Sequence, residues 1–179
     1  MGYTTEFEGS FTVTPALKPE HAEYLRAFSE TRRMKRDSVL CERMPDPIRE
    51  AAGLASVGPE GRYFVGGLGV MGQDLDPSVV DANEPPSGQP GLWCKWEPRD
   101  EGYEIGWSGG EKFYDYTEWL VYIIEHFLGP WGYSLNGEVA YQGENPGYFG
   151  KILVSKNVVS VSRGKRSYGK PEVVGSTGR

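Results

Sequence analysis

Four cations fall within five residues, Arg32, Arg33, Lys35 and Arg36, with Arg26 further back on what reads as the same helix. Guanidinium groups fork onto phosphate or carboxylate oxygens, so the cluster can hold a nucleotide, another phosphorylated ligand or an acidic partner. The plainer reading is a solvated helix end whose cations complement the dipole. A second grouping is aromatic. Trp93 and Trp96 share one predicted strand, Trp107 lies on the next, Glu111 and Lys112 precede a helix and Trp131 follows it. On a regular strand Trp93 and Trp96 point to opposite faces, so they cannot both be core. The exposed one, beside the Gly/Pro-rich stretch Pro85 to Gly91, suits recognition of a strand, a base or a sugar; alternatively it caps a sheet edge under that loop.

The remaining chemistry-bearing residues give weaker patterns. Asp74, Asp76, Asp81 and Glu84 crowd one loop, and Glu138 and Glu144 flank a strand. Their spacing matches no EF-hand, so no metal is assigned and surface solvation is preferred. Gly67 to Gly72 spells G-x-G-x-x-G, but a turn sequence, Gln73 to Pro77, follows where a dinucleotide-binding unit would start a helix. No cofactor is expected. Cys94 with His21 or His126 is the one nucleophilic combination, and each histidine has a structural explanation on its helix. No catalytic residue is assigned.

The elements that must position these residues follow from pattern. Tyr114 to Leu128 is a core helix, with Tyr116, Leu120, Ile123 and Phe127 on one face, Asp115 and Glu118 as a capping box and Gly129 as the left-handed exit. Tyr3 to Val13 alternates cleanly and reads as one long strand. Pro19 to Arg33 is an amphipathic helix. From Asp37 to Pro90 only a helical turn at Ile48 to Leu54 and a short strand at Arg62 to Val65 stand out, and so long a loop-rich insertion is a place to look for a site. Leu92 to Glu97 and Tyr103 to Trp107 form a hairpin; Tyr133 to Gln142 is a strand; Lys151 to Ser155 and Val158 to Ser162 make a closing hairpin. The expected fold is α+β, an antiparallel sheet with two helices on one face, a split βαβ, ferredoxin-like sandwich. One domain spans 1–162, with the insertion at 37–90, and 163–179 is a loose basic tail.

Composition bounds the function. The 179 residues suit one domain with its own core, helped by 5 Trp and 11 Tyr, while 25 Gly and 13 Pro announce many turns. A formal charge of −6 argues against a surface dedicated to nucleic acid. The 2 cysteines form no metal-type or redox-type pair and read as reduced thiols, and no run reaches a membrane span's length. A soluble, cytoplasmic protein is expected.

The segments MGYTTEFEG at the start, Ser29 to Asp37, GQPGLWCKW at Gly88 to Trp96, GGEKFYDYTEWL at Gly109 to Leu120, and LNGEVAYQGE at Leu135 to Glu144 followed by FGKI resemble a family of small, uncharacterised bacterial and phage-borne proteins. The resemblance touches most of the chain up to about Val161 and implies a bacterial or mobile-element setting; it carries no activity and no site residues. Two functional expectations stand. One is a binding module for a protein or small-molecule partner, able to homodimerise through an open sheet edge. The other is an enzyme acting on a phosphorylated or nucleotide-like substrate, with Arg32, Arg33 and Arg36 on phosphate and Glu111 or Glu144 as base. The first is preferred, because no convergent catalytic constellation is visible. The residues expected to matter are Arg32, Arg33, Arg36, Trp93, Trp96, Glu111, Lys112 and Glu144.

Overall fold

The alternation at the N-terminus does produce one extended path, but it is kinked. In the computed structural model, which describes residues 2–67 and 76–175, it runs as β1 (Thr5–Glu8) and β2 (Ser10–Thr14). Gly9 between them has φ 102°, which a side chain tolerates poorly, and a Cβ there would lie 3.2 Å from the Glu138 carbonyl. Register survives the kink. Thr5 opposite Gly143 and Phe11 opposite Gly137 belong to the same antiparallel alignment.

The chain continues through α1 (Pro19–Glu30), β3 (Lys35–Arg36), α2 (Ser38–Glu42), α3 (Pro47–Ala51), β4 (Val79–Asp81), β5 (Trp96–Arg99), β6 (Glu104–Trp107), α4 (Tyr116–Ile123), β7 (Ser134–Gly143), β8 (Phe149–Ser155) and β9 (Val158–Arg163). The main sheet has the order β5-β6-β2-β7-β8-β9, with β1 also on β7, and every pairing is antiparallel. This is an α+β architecture. Phe11, Val13, Trp96, Ile105, Leu135, Val139, Ile152 and Val154 project into the core, whereas Thr12, Glu138 and Lys151 on the opposite parity are exposed. One face of the sheet is therefore packed and the other wet, the pattern that two-residue alternation encodes.

Pro19 occupies the first turn of α1, where its missing N–H costs nothing. The helix stops at Glu30, short of the arginines. Thr31 is extended (φ −103°, ψ 126°), its hydroxyl donates to the Ala27 carbonyl at 2.6 Å, and Arg33 N–H then bonds the Leu92 carbonyl at 2.8 Å. The expected solvated helix end is thus not formed, because a distant strand-like segment captures the chain. The helices touch through rings: Phe28 meets Trp119 at 5.9 Å, and Tyr24 meets Phe127 at 5.2 Å.

Both ends of the core helix depart from expectation. Asp115 is left-handed (φ 51°, ψ 35°) and its side chain makes no capping bond, so the capping box with Glu118 is not built. At the other end Ile124 to Leu128 form a π-turn, Gly129 is right-handed (φ −62°), and the left-handed exit falls at Gly132 (φ 87°). Leu128 and Trp131 continue the winding, with Gly129 N–H on the Ile124 carbonyl and Tyr133 N–H on the Leu128 carbonyl, both at 2.8 Å. Wide-turn bonds replace the abrupt stop.

The segment 37–90 has more structure than expected wherever it is described. Asp37 caps α2 through Leu40 N–H at 3.0 Å. Asp46 and Arg49, both buried, pair at 2.9 Å around α3, and Asp46 also accepts from Val65 N–H at 3.2 Å. Arg62 to Val65 is not a strand. It has no partner strand among the described residues; after a 3₁₀ turn at Pro59–Gly61, Tyr63 N–H bonds the Val57 carbonyl and buries Phe64 in a small cluster with Cys41 and Val57. β4 pairs with β3 in a separate two-stranded sheet. Residues 164–175 carry no secondary structure and are mostly exposed. No helix among the described residues is long and apolar enough to cross a membrane.

Candidate functional site

A cleft of about 370 Å³ lies where the Gly91 to Lys95 segment, which is not the strand that the sequence suggested, leads into β5 beside the start of α4. Arg32, Trp93, Glu111 and Lys112 line it together. Arg32 is held at the wall by the inserted segment, donating from Nε to the Ala82 carbonyl at 2.9 Å and from a terminal nitrogen to Asn83 Oδ1 at 3.2 Å. Trp93 is half-buried, while Glu111 and Lys112 are exposed on the turn before α4. Lys112 takes a left-handed φ of 58° and lays its stem against Gly2. Beside them Lys95 donates to the Glu111 carbonyl. Burial lowers its ammonium pKa, against the opposing pull of Glu111.

The other four expected residues lie elsewhere. Arg33 is 1 % exposed, donates to the Phe64 carbonyl at 2.6 Å and stacks 4.4 Å above the Phe28 ring. Arg36 pairs with Asp76 and Ser78 Oγ, each at 2.7 Å, and stacks on Phe64. A phosphate clamp of Arg32, Arg33 and Arg36 is therefore not assembled: two of the three brace the inserted segment from inside. Trp96 is core, its Nε1 donating to the Tyr116 carbonyl at 2.7 Å and its ring packed edge-on against Phe7, Phe11 and Phe113. Glu144 accepts from Thr4 N–H at 2.7 Å and ties β1 to β7 away from the cleft.

The weaker patterns also resolve into structural parts. Asp76 is spent on Arg36, Glu138 on Lys151 at 2.6 Å, and Asp81 on Asn83 N–H at 2.8 Å. Asp74 and most of the G-x-G-x-x-G stretch, Leu68 to Gly72, lie outside the described residues. No group of three or more His, Cys, Asp or Glu among the described residues could hold a metal ion. Cys94 is wholly buried and burial pushes its thiol to about 12. His21 stacks on Trp131 at 3.9 Å and bonds the Tyr133 hydroxyl at 2.8 Å, and His126 bonds the Tyr63 hydroxyl at 2.9 Å. The thiol thus has no histidine partner.

Among the cleft residues not singled out from the sequence as site residues, which include Lys95 and Tyr114, two stand out: Trp119 and Asp115. Trp119 is 0 % exposed, yet it floors the cleft, and its Nε1 has no hydrogen-bond partner among the described residues. A buried indole normally finds an acceptor, and a donor left without one costs about 1–3 kcal/mol. Asp115 lies next to it: a Cβ added to Gly91 would be 3.6 Å from Asp115 Oδ2 and 3.7 Å from Trp119 Nε1. Asp115 is exposed; partial desolvation, reinforced by Glu118, raises its pKa. Released from the capping role, it lies at the wall of a cleft that also holds the cations Arg32, Lys95 and Lys112. The only sequence hint was the residue type, since Asp tolerates a left-handed backbone better than most.

No family model matches the chain, and no curated protein or solved structure is similar to it.

Proposed function

We propose that the protein is a ligand-binding module whose Trp93 cleft takes a small molecule carrying an anionic group beside a flat, apolar body. The observation that carries this reading is the unpartnered, fully buried Trp119 Nε1 on the cleft floor. Arg32, Lys95 and Lys112 supply positive charge around it, and Trp93 and Tyr114 supply aromatic walls. An acceptor oxygen on the ligand would satisfy the indole N–H once the cleft wall beside Gly91 moves aside, since that nitrogen has no exposed surface, and the volume falls in the range of small-molecule sites, roughly 300–1,000 Å³. The enzyme alternative loses support because only Arg32 of its three arginines shares a cleft with Glu111, while Arg33, Arg36 and Glu144 are engaged elsewhere.

Within the same reading the scaffold is a split βαβ, ferredoxin-like sandwich extended at one edge. The order β5-β6-β2-β7 with antiparallel pairing throughout supports it, as does ring contact between α1 and α4. Two buried free thiols, Cys41 and Cys94, support a reducing compartment, the cytoplasm.

The test is native mass spectrometry of gently purified protein for retained small ligands, followed by calorimetric titration with adenosine monophosphate, phenyl phosphate and indole-3-acetate. Adenosine and indole serve as uncharged counterparts. At least one anionic probe should bind, roughly tenfold or more tightly than its counterpart, and Arg32→Ala should abolish that difference. Absence of retained ligand together with no binding by any anionic probe would sink the reading.

A further inference from the structure

The two terminal strands of the order β5-β6-β2-β7-β8-β9 are built differently. At one edge β5 is four residues long, with Pro98 in its middle and Glu97 and Arg99 beside it, the usual devices that stop a strand from pairing further. At the other edge β9 reads Val158-Val159-Ser160-Val161-Ser162-Arg163, without proline or acid, and its only partner among the described residues is β8. Val161 is 45 % exposed although it shares the inward parity of buried Ile152, and Val121 on α4 is 38 % exposed. A groove of about 670 Å³ runs between them.

The hydrogen-bonding parity of β9 can be worked out. Gly164 N–H donates to the Phe149 carbonyl, so on the antiparallel ladder the even-numbered residues of β9 bond β8. Val159, Val161 and Arg163 then direct their N–H and C=O groups outward from the sheet. We propose that β9 pairs antiparallel with β9 of a second copy of this chain, centred on Val161, to give one continuous sheet across a two-fold axis.

Centring on Val161 sets Val161 against Val161 and Val159 against Arg163 of the second copy, with each such pair exchanging both of its N–H···O bonds. All the outward backbone groups are used, and the exposed valines are covered. Charge complementarity selects a second copy as the occupant. Val159 and Glu125 both line the groove. Residues directly opposite on an antiparallel pair share a face, so Arg163 of the second copy arrives beside Glu125. Its own Arg163 lies at the other end, next to Glu118. The arrangement repeats at both ends by symmetry.

Sedimentation equilibrium of the full chain over a micromolar concentration series tests this. The wild type should approach twice the chain mass, and Val161→Lys, which sets like charges across the axis, should remain monomeric. Glu125→Lys and Arg163→Glu should each weaken association roughly tenfold, since each puts like charges at both ends of the interface. An equimolar mixture of those two variants should recover it as a heterodimer, because each chain then meets its opposite charge. That recovery keeps the register testable even if Val161→Lys misfolds. A wild type that stays monomeric, or single charge variants that dimerise as well as the wild type, would overturn the proposal; the former result would leave the edge to a strand of another protein.

Discussion

Replacing Trp119 by Phe removes the indole N–H while keeping an aromatic ring between Phe28 and Tyr122, which Trp119 meets at 5.9 and 5.4 Å. Two opposing effects set the change in stability. The smaller ring loses buried area and leaves a small void, a cost of about 1–2 kcal/mol for a change of this size. Removing a buried donor that has no partner returns about 1–3 kcal/mol of desolvation. The two nearly cancel, so Trp119→Phe should lie within about 1 kcal/mol of the wild type, a melting shift of roughly 2–4 °C or less. Trp119→Ala, which loses the whole ring, should cost about 3–5 kcal/mol. Urea denaturation followed by circular dichroism reads both values. Affinity should move differently: losing one donor to the ligand weakens an anionic probe by roughly three- to tenfold. A Trp119→Phe variant destabilised by more than about 3 kcal/mol would mean that the N–H is bonded in the free protein, and the argument for the cleft would fail.

Other expectations follow from neighbouring groups. The Asp115 carboxyl has its pKa raised by partial desolvation and by Glu118, so in the folded state it loses its charge at a higher pH than an ordinary carboxyl does. The stability linked to that protonation is present below the ordinary carboxylate range and is lost as pH rises through the raised value. Anionic probes should therefore bind more tightly as pH falls through that window; Asp115→Asn should flatten the dependence in a calorimetric pH series. Asp46→Ala strands the buried Arg49 guanidinium, which is 3 % exposed, and should cost about 3–5 kcal/mol in urea. Combining Asp46→Leu with Arg49→Met should recover part of that loss. Cys94, with its thiol pushed to about 12 and no exposed surface, should react with iodoacetamide at mildly alkaline pH roughly a thousandfold more slowly than an unfolded thiol. Mass spectrometry of alkylated protein before and after denaturation would reveal any faster labelling.

Local pattern was a good guide wherever local physics decided the outcome. The alternation of Leu135, Val139 and Tyr141 marked the core face of β7, and Lys156-Asn157 marked a hairpin turn whose residues do take left-handed φ of 48° and 67°. Trp96 is core and Trp93 half-buried, but Trp93 precedes β5, so strand parity is not what separates the two. The cation cluster was not legible, because the pitch of α1 gave no sign that Thr31 would end the helix. Arg33 then finds its acceptor at Phe64, 31 residues away, and Arg36 finds Asp76, 40 residues away. Asp115 misled for a related reason. Its spacing to Glu118 fits a capping box, but the left-handed backbone leaves the side chain without a capping bond, at the wall of the cleft.

The sequence by itself determined which residues face the core and which face water along β2, β7 and β8, and hence the α+β class, since side-chain periodicity follows from backbone geometry within each element. Only the tertiary structure decided what those elements bring together. Arg32 and Trp93 share a cleft with Glu111 and Lys112 because the chain after α1 is captured by the Leu92 carbonyl and the turn before α4 folds back over it. The indole of Trp119 lacks an acceptor among the described residues for the same kind of reason: whether a buried donor is satisfied depends on which distant carbonyls arrive beside it, and no spacing within one helix specifies that.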